Sequence, residues 1–102
     1  MLKVMIYGAK SVTRFDCLKD EDGDRAFEES VVSLHAKDAK EAIELAENEA
    51  KNYAEANDGT YLDWIGVYEA RDSTIDFEGV QEVYSIMKHD GSSDEDYLGN
   101  LW

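Results

Sequence analysis

Basic residues are scarce in this chain: ten Lys and Arg stand against 24 Asp and Glu, for a formal net charge of −14. Nucleic-acid binding draws on Lys and Arg to neutralise phosphates, so a nucleic-acid partner is not expected. An anionic membrane surface would repel the chain as well. Cysteine is nearly absent, and Cys17 alone permits no internal disulfide. The opening MLKVMIYGAK is too short and too interrupted for a signal peptide, so a cytoplasmic location is expected. No window nears the roughly eighteen apolar residues of a membrane span. Glycines are scattered singly, with no GxGxxG and no P-loop pattern, which removes the usual phosphate-cradling loops. No cofactor is expected.

What is present is enough to fold. Hydrophobic residues make up 43% of the chain, with two Trp, six Tyr and three Phe, too much apolar matter for wholesale disorder. A chain of 102 residues buries roughly two thirds of its unfolded surface. One core follows, in a single domain over residues 1–89, with an acidic, aromatic-ended tail at 90–102.

LKVMIY and SVTRF, parted by Gly8, read as one long strand bent near Gly8 or as two short ones. Asp22-Gly23 is a turn pair, so residues 19–25 form a hairpin loop into a second strand from about Phe27 to Ala36. Ala39, Ala42, Ile43, Ala46, Ala50, Tyr53, Ala54 and Asn57 recur at three and four, the stripe of an amphipathic helix. Asp38 and Glu41 form its capping box, and Asn57-Asp58-Gly59 ends it. YLDWIGVYEA is the third strand and VQEVYSIMK the fourth, separated by a loop at 71–79. The order ββαββ packs most simply as an α+β fold, a four-stranded antiparallel sheet with one long helix on one face.

Several strands are apolar on both sides, whereas one helix covers only one. The face away from the helix, placed around Met5, Ile65, Val67 and Val83 or else around their opposite neighbours, is therefore expected to meet a partner. A second copy in a homodimer is the simplest one. In the tail, Tyr97, Leu98, Leu101 and Trp102 are too few to form an element. They either fold back on the sheet or dock a partner's groove, with Tyr97, Leu101 and Trp102 as anchors.

No constellation carries a reaction. Asp20, Asp22 and Asp24 have the one, three, five spacing of a calcium loop, but Gly23 stands fourth where the sixth is needed and Val31 occupies the twelfth position. His35, His89 and Cys17 lack zinc-ligand spacing, so no metal site is expected. With so many acids, close carboxylate pairs arise by density alone, and the chain reads as more binding protein than enzyme. The charge is the strongest signal. Residues 16–29 hold seven acids and two bases, a local net of −5. Such a patch steers a basic partner and speeds its association, with Asp20, Glu21, Asp22 and Asp24 as the contact residues. High charge also serves solubility alone.

FEESVVSLHAKDAKEAIELAENEAKNYA, YLDWIGVYEA and EGVQEVYSIM together resemble the small bacterial domain-of-unknown-function family 4288 over about residues 2–88. The shared features are Phe27, Glu28 and Glu29 opening a strand, then Ala36, Asp38, Glu41 and Ala42 leading into the helix. Trp64, Val67 and Tyr68 follow in the third strand, and Glu82, Val83, Tyr84 and Ser85 in the fourth. The resemblance implies the ββαββ fold and supplies no enzyme, because the family is uncharacterised. Small domains of this kind look like immunity proteins encoded beside toxins, which points to an inhibitor of a basic partner such as a nuclease. A dimeric small-ligand-binding or regulatory domain is the alternative.

Because the hairpin acids lack calcium-loop spacing, calorimetry is expected to find no Ca²⁺ site tighter than about 100 μM. A stoichiometric micromolar site, lost when Asp20 and Asp22 are both changed to Asn, would contradict this.

Overall fold

The computed structural model describes residues 5–69 and 80–101. Its elements are β1 (Met5–Phe15), β2 (Arg25–Ala36), α1 (Ala39–Ala56), β3 (Thr60–Glu69), β4 (Val80–Asp90) and α2 (Asp94–Gly99). The four strands form one antiparallel sheet in the order β3-β1-β2-β4, with α1 packed against it, the α+β arrangement expected from the ββαββ order. The loop expected at 71–79 and the expected anchor Trp102 lie outside the described residues.

β1 is one continuous strand, and no bulge falls at Gly8. Gly8 instead makes room for an aromatic ring. A Cβ there would lie 2.2 Å from Cζ of Tyr68, its cross-strand partner on β3. The irregularity sits further along, where the β1–β3 register shifts between Ser11 and Thr13 and Asp63 adopts a φ of 55°. A second shift, between Val31 and Val32, leaves Val83 without a partner on β2. The uninterrupted alternation expected along β4 therefore changes phase at Val83.

α1 begins where the capping residues place it. Asp38 is extended, and its side chain accepts the Glu41 amide at 2.8 Å. The return bond differs from a standard capping box: Glu41 Oε1 accepts the amide of Lys37, one residue earlier, at 3.2 Å. At the far end the left-handed residue is Asp58, with φ 57°, and not Gly59. Gly59 is needed for space, since a Cβ would lie 2.6 Å from Thr13 Cγ2 and 2.9 Å from Phe15 Cε1. The buried stripe is narrower than the sequence pattern: Ala42, Ala46, Ala50 and Ala54 are covered, while Ile43 is 43% exposed. Alanines four apart present a smooth seam that brings the helix backbone close to the sheet.

Two apolar clusters flank the sheet. On the helix side Tyr7, Ala9, Leu34 and Ala36 pack with Ala42 and Ala46, and Met5, Val32, Ile65 and Val67 join them. Met5, Ile65 and Val67 therefore lie beneath α1 and not on the face away from it, so of the two alternatives it is their opposite neighbours that face away from the helix. Alternation shows which residues share a face but not which face takes the helix. β2 and β3 are both antiparallel to β1, hence parallel to each other, and α1 is the crossover joining them. The side taken by such a crossover is governed by its handedness, which no alternation pattern contains.

The opposite face carries Val12 and Phe27, with Tyr97 stacked on Phe27 at 4.1 Å between ring centroids and 8° between planes. Leu62, Trp64, Leu98 and Leu101 pack around them. The expectation that the C-terminal segment is too short for an element is corrected here, because Asp94–Gly99 is helical. Ser93 caps it by accepting the Asp96 amide at 3.2 Å, and three acids occupy its first turn, where free amides favour negative charge. Six residues of helix would not persist alone, so the apolar contacts hold it in place.

Replacing Asp38 by Ala should cost about 1 kcal/mol by freeing the Glu41 amide, whereas Glu44→Ala on the exposed face should change stability by less than about 0.5 kcal/mol. Equal and negligible losses in urea titrations would show that the Asp38 cap does not stabilise the helix.

Candidate functional site

The hairpin between β1 and β2 is built around one carboxylate. Asp20 Oδ1 accepts the amides of Asp22 at 3.0 Å and Asp24 at 2.9 Å, and the Asp20 carbonyl accepts the Gly23 amide at 3.1 Å. Gly23 closes the turn at φ +79°, a conformation that glycine adopts without a Cβ penalty. One ligand atom from each of Asp20, Asp22 and Asp24 comes within 4.8 Å of the others. Because Asp20 already accepts two amides, this convergence is explained by the turn itself. Glu21 and Asp22 project into solvent, and Asp20 and Asp24 are half-buried.

The cations at the base of the hairpin are engaged with other acids. Arg14 pairs with Asp94 of α2 and with Asp16, Nε to Oδ1 at 2.8 Å. Arg25 reaches Asp94 at 3.4 Å, Asp16 at 3.7 Å and the Ser92 carbonyl at 3.4 Å. Burial opposes the Arg14 charge, but the two aspartates more than compensate and raise its pKa. Among the described residues, Asp20, Glu21, Asp22 and Asp24 have no ion pair.

Behind the hairpin, on the face opposite α1, Glu29 is 8% exposed and receives three donors. They are Lys10 at 2.9 Å, Lys88 at 3.1 Å and the Tyr97 hydroxyl at 2.6 Å. Burial works to raise the Glu29 pKa, and the bonds from Tyr97, Lys10 and Lys88 outweigh it, holding the carboxyl at about 2 against an ordinary 4.5. Burial and the adjoining carboxylate push the Tyr97 phenol up. Tyr97, one of the expected partner anchors, is thus spent on its own sheet, and Leu101 packs beside it. The open sheet face that motivated a homodimer is partly roofed by this segment. Val83 remains 58% exposed, near Ile86 at 48% and Met87 at 45% along the β4 edge.

A third feature went unread in the sequence. Ser11, Ser30 and Ser85 occupy one cross-strand row over β1, β2 and β4, on the α1 side. They floor a groove of about 410 Å³ whose wall includes Ala46, Glu49, Ala50 and Tyr53 of α1. Thr13 and Glu28 complete the polar floor. Glu28 is 8% exposed, and its Oε1 accepts the Tyr53 hydroxyl. The detectable signal was polar residues recurring at positions facing the core: Ser11 and Thr13 in one strand, Glu28 and Ser30 in the next. Strand register was needed to see that they converge.

Comparison of the chain with protein-family models, curated proteins and solved structures finds no match.

The depressed Glu29 pKa carries a sign. Its contribution to stability is complete above the unfolded value near 4.5 and is lost as pH falls toward 2. In chemical unfolding, the stability difference between wild type and Glu29→Gln should shrink across that window. A difference constant down to pH 2 would show that Glu29 is not held ionised by these donors.

Proposed function

We propose that the protein is a non-catalytic, acidic interaction domain of the cytoplasm that binds a basic protein partner, most specifically as an inhibitor or immunity protein for a nuclease toxin. The partition of charge carries this reading. Six of the ten basic side chains, Lys10, Arg14, Arg25, Lys37, Lys51 and Lys88, are engaged with acids of the same chain. Among the described residues no cation pairs with Asp20, Glu21, Asp22 or Asp24, which leaves the hairpin tip an acidic projection between two long strands. A turn whose amides bond to Asp20 fixes the backbone that carries Glu21 and Asp22, which lowers the backbone share of the entropic cost of binding. No helix among the described residues is long and apolar enough to cross a membrane.

The test is surface plasmon resonance against the basic product of a cotranscribed gene. Neutralising Asp20, Glu21, Asp22 and Asp24 together should slow association more than it speeds dissociation, because charges at the rim act through long-range steering. Raising salt from about 50 to about 300 mM should slow wild-type association strongly and the neutralised variant much less, as the Debye length contracts. Unchanged kinetics in a variant that keeps its circular dichroism spectrum would overturn the hairpin as the contact surface.

A further inference from the structure

The groove beneath α1 has a chemistry of its own. Its lining offers three serine hydroxyls, Thr13 and the carboxylates of Glu28 and Glu49, and no Lys, Arg or His among the described residues contributes to it. Serine and threonine hydroxyls rotate to donate or accept, and an ionised carboxylate only accepts. Glu28 is the decisive group. It is buried, and among the described residues its hydrogen-bond partner is the neutral phenol of Tyr53. Glu29, the adjacent residue on the other face, shows what the same side chain receives when its neutralisation is internal: two ammonium groups and a phenol. A carboxylate withdrawn from water calls for a counter-charge, and at Glu28 the described residues supply none. The volume of about 410 Å³ falls in the range of small-ligand sites, roughly 300 to 1,000 Å³. Ala46, Ala50 and Val32 give it an apolar strip suited to methylenes.

We propose that this groove binds an organic cation, a primary ammonium or guanidinium on a short alkyl stem, with Glu28 as counter-ion, the serine row as hydrogen-bonding floor and the alanine wall against the stem. This site is separate from the hairpin tip and does not depend on the role proposed for it. The cation has two natural sources, a free aliphatic amine or an Arg or Lys side chain of a protein.

Nitrogen-15 NMR titration with butylguanidinium and butylammonium, against neutral butanol, tests it. Saturable shifts are expected at the amides of Ser30, Ala50 and Ser85 with a Kd below about 10 mM, and no saturation with butanol. Glu28→Gln, which keeps an acceptor for Tyr53, should raise Kd about tenfold or more, as loss of a buried charge partner does. Asp22→Asn at the hairpin tip should leave Kd unchanged. Should Glu28→Gln disturb the fold, Ser30→Ala and Glu49→Gln take its place, each expected to weaken binding about twofold to fivefold. Titration with 1,4-diaminobutane and with a capped Gly-Arg-Gly peptide separates the sources, the tighter of the two identifying the natural one. Shifts that stay linear, that centre on residues 20–24, or that persist unchanged in all three groove variants would overturn the proposal.

Discussion

Glu29 is the point at which the fold is tied together. Its carboxylate lies on β2, Lys10 reaches it from β1, Lys88 from β4 and Tyr97 from α2, so one buried charge engages four elements. A carboxylate in this position is unfavourable on its own and becomes favourable only when its partners are all in place. That makes the arrangement selective: a slip of either neighbouring strand by one residue would turn Lys10 or Lys88 to the other face. The stacking of Tyr97 on Phe27 then follows, because a phenol bonded to Glu29 sets its ring over the residue two positions earlier on the same strand face.

The same economy of cations shapes the surface. Four of the few cations converge on three acids, Lys10 and Lys88 on buried Glu29 and Arg14 and Arg25 on Asp16 and Asp94. Among the described residues the four acids of the hairpin tip, Asp20, Glu21, Asp22 and Asp24, take no cation. Arg14 and Arg25 illustrate the trade: both lie at the hairpin base, yet both engage Asp94 in the C-terminal helix. Closing the sheet's open face thus engages both arginines at the hairpin base.

The two faces of the sheet solve burial differently. Beneath α1 the helix seam is alanine, which allows close approach over the Tyr7 and Leu34 end of the sheet but supplies no bulk elsewhere. The strand row of Ser11, Ser30 and Ser85 meets that seam with more small side chains, and a groove remains. On the other face no long helix lies among the described residues, and aromatic rings do the filling: Phe27, Tyr97, Trp64 and, across Gly8, Tyr68. Small residues thus leave space on one side and admit a large ring on the other, depending on what lies opposite.

Local chemistry was legible along the chain. The Asp38 cap, the helix stripe, the Asp22-Gly23 turn and the four strands are set by contacts within a few residues, and their order was enough to specify an α+β sheet with one helix on it. The acidic hairpin tip was readable for the same reason, being a short run in sequence. Tertiary structure decided the rest. The side of the sheet that α1 covers, and with it the placement of Met5, Ile65 and Val67, depends on the handedness of a crossover and not on alternation. The helical C-terminal segment forms because Phe27 and Glu29, some seventy residues earlier, give Tyr97 a surface and an acceptor. The serine row and the groove above it exist only once three strands adopt one register, a relation among distant residues that no local pattern encodes.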